Sequence, residues 1–104
     1  MGNDASSNKT RTQVEGEART SQPPMFKVLM HNDDYTSMDF VVEMLLTVFH
    51  KGPTEANRIM LHIHFKGLGV CGIYPYDIAE TKTAKVHALA HAAGYPLRCS
   101  LDRA

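Results

Sequence analysis

Histidine, aspartate, asparagine and cysteine are the side chains here that could bind a metal, move a proton or hold a charged ligand, and they fall in clusters. His62-x-His64 and His87-x-x-x-His91 have the spacing of metal-ligand pairs. Residues two apart on a helix point about 200° away from one another, so His62 and His64 can share an ion only if their segment is a strand. His87 and His91, four apart, could share a zinc ion on a helix face, but the Glu of an HExxH motif is missing and spacing supplies no third ligand. Solvated or partly buried rings on helix faces are the simpler account of all six histidines. Cys71 lies inside the apolar run Val70-Cys71-Gly72-Ile73-Tyr74, with no helix N-terminus or basic neighbour in sequence to lower its pKa, and reads as inert. Cys71 and Cys99 form no CxxC pair and are expected to be reduced, buried thiols.

The run His31-Asn32-Asp33-Asp34-Tyr35-Thr36 is more informative. Asn and Asp at a strand end serve turns, and an Asp near a helix start suits the macrodipole. Three such residues in a row exceed what one turn needs. Between a strand and a helix they gather amide and carboxylate oxygens at a sheet end, an acceptor set suited to a small cation such as an ammonium group. His64 follows Ile63 at the end of a helical apolar stripe and could add a neutral ring nitrogen to that set.

The elements that must position these groups follow from periodicity. Met25-Phe26-Lys27-Val28-Leu29-Met30 predicts a first strand, entered from Pro23-Pro24 and closed by the Asn-Asp run. Thr36-x-x-Asp39 predicts a capping box with Thr36 as N-cap, and Val41, Met44, Leu45 and Val48 continue as a helix over 37 to about 50. Gly52-Pro53 restarts the chain into a second helix carrying Ala56, Ile59, Met60 and Ile63, which Gly67 is placed to end. Val70 to Tyr74 reads as a second strand, Pro75 opens a third helix that runs to Ala93 and stops at Gly94-Tyr95-Pro96, and Leu97 to Leu101 reads as a last strand. The order βααβαβ predicts an α+β fold, a small three-stranded antiparallel sheet with three helices packed on one face.

Composition narrows the function classes. The 104 residues suffice for one domain. Residues 1–22 contain one Val and no Leu, Ile, Phe, Tyr or Trp, so they predict a flexible N-terminal extension before a core domain over 23–104. Eleven basic residues balance eleven acidic ones over the whole chain, and eight balance eight over 23–104. No net positive charge is available to neutralise a phosphate backbone or an anionic membrane, so neither nucleic acid nor membrane is an expected partner. No apolar run approaches a membrane span and the N-terminus has no signal-peptide core, which predicts a cytoplasmic protein.

Taken together, Asn32-Asp33-Asp34-Tyr35-Thr36, Met38-Asp39-Phe40-Val41, Met60-Leu61-His62-Ile63-His64-Phe65-Lys66-Gly67, Val70-Cys71-Gly72, Ala79-Glu80-Thr81-Lys82 and Pro96-Leu97-Arg98-Cys99 resemble the ClpS family of N-end-rule adaptors, in colinear blocks over 23–104. The resemblance implies a monomeric, non-enzymatic adaptor without cofactor. Such an adaptor binds proteins that begin with Leu, Phe, Tyr or Trp and delivers them to the N-terminal domain of a Clp-type AAA+ unfoldase of the ClpA or ClpC kind. Carried over by position, it implies that Asn32, Asp34 and His64 hold the ligand's α-amino group with Asp33 on the same polar rim. It further implies that Met30, Thr36, Met38, Val41, Met60, Ile63 and Leu97 line the side-chain pocket and that Asp77 and Lys82 face the unfoldase. Asp77 stands where some relatives carry Glu, and Ser37 replaces a frequent Pro, which removes one source of rigidity beside Met38. The family pattern also implies that the N-terminal extension is engaged by the unfoldase during hand-off. A metal-dependent enzyme built on the histidines and a structural interaction module of the ribosomal-stalk type are the rival readings.

Overall fold

The computed structural model describes residues 22–104. Apart from Gln22, the extension predicted for 1–22 lies outside the described residues. The chain order is β1 (Met25–His31), α1 (Met38–Thr47), α2 (Pro53–Lys66), β2 (Leu68–Pro75), α3 (Tyr76–Ala93) and β3 (Arg98–Arg103). The strands form one antiparallel sheet in the order β2-β1-β3, so the first strand is the central one.

Alternation along the central strand fixes which face is covered. Val28 and Met30 are fully buried and point to the helix side with Cys71 and Cys99, while Lys27, Leu29 and His31 turn to the open side. Against the inner face, α2 packs on β2 and α3 reaches all three strands, with α1 laid against α2. The core joins Met44, Leu45, Ile63 and Val86 from the three helices to Val28 and Met30. In the β1–β2 ladder Val28 pairs with Gly72 and Leu29 with Val70, so Cys71 is the extra residue of a β-bulge and turns its thiol inward. Gly69 is where α2 comes closest to the sheet. A Cβ there would stand 2.8 Å from Cγ1 of Ile63, so the glycine lets the end of α2 lie directly on β2.

The termini differ from the sequence expectation in instructive ways. Helix α1 stops at Thr47, short of 50, because the chain unwinds through Phe49, whose N–H reaches the Met44 carbonyl, into His50 at φ +56°. Its N-cap is Ser37, not Thr36: Ser37 Oγ accepts the Phe40 N–H at 3.1 Å. Pro75 is the cap residue before α3, whose first helical residue is Tyr76. Gly67 (φ +94°) ends α2 in the left-handed conformation that glycine adopts freely, and β2 begins at once with Leu68, two residues earlier than predicted. Strand β3 starts one residue later than expected and runs to Arg103.

Candidate functional site

Two chain segments far apart in sequence meet at one end of the sheet. The Asn32 N–H donates to the Gly67 carbonyl at 2.8 Å, which joins the segment after β1 to the C-terminal end of α2. The Gly67 N–H in turn donates to the Ile63 carbonyl at 2.9 Å, so the last turn of α2, carrying His64, is held opposite Asn32. Asp33 then organises the turn between β1 and α1. Its Oδ1 accepts the N–H groups of Tyr35 (2.8 Å) and Thr36 (2.7 Å), and its Oδ2 accepts the Thr36 hydroxyl (2.8 Å). Partial burial pushes the Asp33 carboxyl up, but the hydrogen bonds from Thr36 and Tyr35 outweigh it and leave the pKa below the ordinary carboxylate value.

This turn, the start of α1 and the end of α2 enclose a cavity of about 220 Å³. Asn32, Asp33, Asp34 and His64 form its polar rim, and Thr36, Met38, Val41, Met60 and Ile63 its walls and floor. Val41, Met60 and Ile63 are buried, whereas Met38 is 45% exposed and forms a lip. Among the described residues, the Asn32 amide, the Asp34 carboxylate and the His64 ring take no hydrogen bond from another protein group, so three acceptor-capable side chains converge above an apolar floor. The His64 ring meets Phe65 edge-on at 5.0 Å between centroids.

Nine of the residues that the resemblance places in the amino site and pocket therefore surround one cavity, and two do not. Met30 is fully buried in the core, because it sits on the inner face of the central strand with the helices closed over it, and it supports the floor without lining the cavity. Leu97 lines a separate space of about 10 Å³ behind Thr36, Val41 and Ile63. Asp33 lies on the rim as expected, but with both oxygens engaged in the turn.

The other candidate residues lie elsewhere. Lys82 donates from Nζ to the Val48 carbonyl at 2.7 Å and stands 5.2 Å from the centroid of the Tyr74 ring, so it satisfies the end of α1. Asp77 is exposed in the first turn of α3, where its Oδ1 accepts the Ile78 N–H. His62 and His64 are separated by the helical geometry of α2: His62 lines a groove with Arg58, Ile59 and Val70, and His64 faces the cavity. The Nε2 of His87 accepts the Cys99 N–H at 2.9 Å. Among the described residues no three His, Cys, Asp or Glu side chains are grouped to hold a metal ion. Burial pushes the Cys99 thiol up to about 12 and that of Cys71 further, which leaves neither as a nucleophile.

What sequence reasoning missed is the frame around these groups: the Asn32–Gly67 bond, the Ser37 cap and the contact of Tyr95 with both Ser37 and Phe40. Ser and Thr are both good capping residues, so residue type alone does not choose between the adjacent Thr36 and Ser37. The long-range bonds had no local signal.

Comparison with known proteins agrees with this fold. Residues 21–100 match the family model described as ATP-dependent Clp protease adaptor protein ClpS. The chain is 56% identical over 89 residues to the ATP-dependent Clp protease adapter protein ClpS of Syntrophus aciditrophicus (strain SB), covering 86% of this chain and 83% of that protein. It is also 56% identical over 93 residues to the protein of that name in Nitratidesulfovibrio vulgaris (strain DSM 19637 / Miyazaki F), covering 89% and 91%. Its fold superposes on the structure of Agrobacterium tumefaciens ClpS2 bound to L-phenylalaninamide with a TM-score of 0.76 and 35% identity, over 80% of this chain and all of that one. A family match over residues 21–100, joined to an acceptor-rimmed apolar cavity, leads to one assignment: the chain belongs to the ClpS family of Clp protease adaptor proteins.

Proposed function

We propose that the chain binds proteins through a bulky hydrophobic N-terminal residue, Leu, Phe, Tyr or Trp, and hands them to a Clp-family AAA+ unfoldase of the ClpA or ClpC kind. It acts as a monomeric cytoplasmic adaptor and not as an enzyme. The observation that carries this reading is the placement of three acceptor side chains that have no hydrogen-bond partner among the described residues, Asn32, Asp34 and His64, directly above the floor made by Val41, Met60 and Ile63. The ligand of the Agrobacterium tumefaciens relative, L-phenylalaninamide, combines the two features such a cavity suits, a free amine and an aromatic side chain.

The selectivity for chain ends follows from hydrogen-bond capacity. A free α-amino group, with a pKa of about 7.7–8.0, is mostly a cation near neutral pH and offers three donors to an amide oxygen, a carboxylate and an imidazole. An internal residue offers one N–H, and each desolvated acceptor left unpaired costs about 1–3 kcal/mol. Burying a Leu or Phe side chain on the floor contributes roughly 1.5–3 kcal/mol. The thioethers of Met38 and Met60 adapt to branched or flat side chains alike, which suits a pocket that accepts both. Exposed Asp77 supports a partner contact at the start of α3. Lys82, tied to the Val48 carbonyl, supports it only through the positioning of that surface.

The test is a fluorescence titration with a peptide that begins with Leu or Phe, before and after acetylation of its amino group. The free peptide binds and the acetylated one does not. Equal affinity for the two would remove the reading. Metal analysis of the purified protein addresses the metal-enzyme rival, which requires a stoichiometric ion.

A further inference from the structure

The lip residue Met38 is the first residue of α1, which is the part of a helix that opens most readily, because its N–H groups have no intrahelical acceptors. The structure shows what holds it. Ser37 Oγ accepts the Phe40 N–H at 3.1 Å and also the Tyr95 hydroxyl at 3.3 Å. The Tyr95 ring lies tilted against that of Phe40, 4.9 Å between centroids. One side chain thus grips the residue before Met38 and the residue two after it.

Tyr95 is itself fixed. Gly94 (φ +81°) ends α3 in the left-handed conformation with its N–H directed to the Ala90 and His91 carbonyls, and the Tyr95 N–H reaches the Ala90 carbonyl at 2.9 Å. Pro96 follows and limits the backbone further. Met38 and Phe40, two apart on a helix, face directions about 200° apart. Tyr95 therefore grips α1 from the side away from the cavity, and it is not among the residues that line the cavity.

We propose that Tyr95 is a specificity-positioning residue: by clasping Ser37 and Phe40 from the end of α3, it fixes the first turn of α1 and so holds Met38 where it narrows the cavity mouth against β-branched N-terminal residues. The inference rests on the function proposed above. It assigns to Ser37 the role that a rigid residue at that position would play, with the rigidity supplied by a partner 58 residues away.

The experiment measures the affinity of full-length protein for matched peptides beginning with Leu and with Ile, and reads their ratio. The wild type favours Leu. Tyr95→Phe, which keeps the ring and loses the hydroxyl, narrows the ratio by about two- to fivefold, in line with one neutral hydrogen bond. Tyr95→Ala narrows it further. Ser37→Ala narrows it as well, and adding Tyr95→Phe to Ser37→Ala has no additional effect, because the hydroxyl has lost its acceptor. An unchanged ratio in Tyr95→Phe and Tyr95→Ala, with only a lower melting temperature, overturns the proposal. Additive effects of Tyr95→Phe and Ser37→Ala overturn the route through Ser37. If Tyr95→Ala does not fold, Tyr95→Phe decides alone. Failure of the wild type to bind either free-amine peptide would overturn the proposed function, whereas binding with a ratio indifferent to Tyr95 overturns the clasp only.

Discussion

The cavity rim and the outer side of α3 both carry charged side chains, and they treat them in opposite ways. On α3, the Lys82 ammonium is taken up by the Val48 carbonyl and the Tyr74 ring, and Asp77 accepts the N–H of its neighbour Ile78. At the rim, Asp34, Asn32 and His64 keep their acceptors without partners among the described residues. The contrast recurs between two adjacent carboxylates, since among the described residues Asp33 accepts three hydrogen bonds and Asp34 none. A polar group whose hydrogen bonds are made within the chain stabilises the fold, and one left open is available to a ligand. Charge alone does not distinguish the two.

The sharpest way to break this comparison is to exchange the neighbouring carboxylates for neutral side chains. Asp34→Ala lowers affinity for a Leu-starting peptide by about ten- to a hundredfold, the worth of a charge-assisted hydrogen bond, with the melting temperature unchanged. Asp33→Ala instead lowers the melting temperature by about 4–8 °C, as loss of about 1 kcal/mol does in a domain of this size. Comparable melting losses for both variants would show that Asp34 also belongs to the turn. Next in size, Met38→Ala widens the mouth and raises affinity for Ile- and Val-starting peptides by about tenfold relative to Leu, since β-branched side chains are stiff and broad near the backbone. An unaltered preference would assign discrimination to the cavity floor. On α3, Lys82→Met costs about 1 kcal/mol of stability in thermal melts and leaves peptide affinity as it was. A fall in peptide affinity would join the two regions that the structure separates.

The smallest effect is in pH. The Asp33 carboxyl is held below its ordinary value, so the stability it lends is complete above the unfolded carboxylate pKa of about 3.9 and is lost as pH falls through the lower folded value. Burial, with the nearby Arg98 charge, also lowers the His31 pKa. Its neutral form is the one the fold prefers, so its contribution is complete above the unfolded value of about 6.5 and is lost as pH falls below that. Acid titration of stability therefore has an early step absent from His31→Gln and a later one absent from Asp33→Asn. A profile unchanged by either substitution would show that these groups carry no linkage.

The order of elements was legible because apolar spacing switches period cleanly between strands and helices, and the stops at Gly67 and Gly94 have glycine's own conformational reason. The acceptor cluster was legible from residue types alone. The N-cap was not: Thr36 and Ser37 are adjacent hydroxyls, and Asp33, three residues back, takes the Thr36 hydroxyl and leaves Ser37 to cap. Met30 belongs to the pocket by resemblance, yet strand alternation already put it on the same inner face as Val28, where helices bury it. Lys82 and Tyr95 depend on contacts across 34 and 58 residues, which no local pattern encodes.

The place of β1 in the sheet has a mechanical consequence. The segment before Met25 runs straight into the central strand, which is paired over seven residues with β2 and over six with β3. A pull on that segment draws β1 lengthwise between two neighbours, so the bonds of both ladders bear the load together and must yield nearly at once. A pull on the C-terminus loads β3, an edge strand with a single ladder. Force applied at the N-terminal end therefore meets the more resistant direction of the fold, and a machine gripping the chain there would strain against the sheet before it could extract a strand.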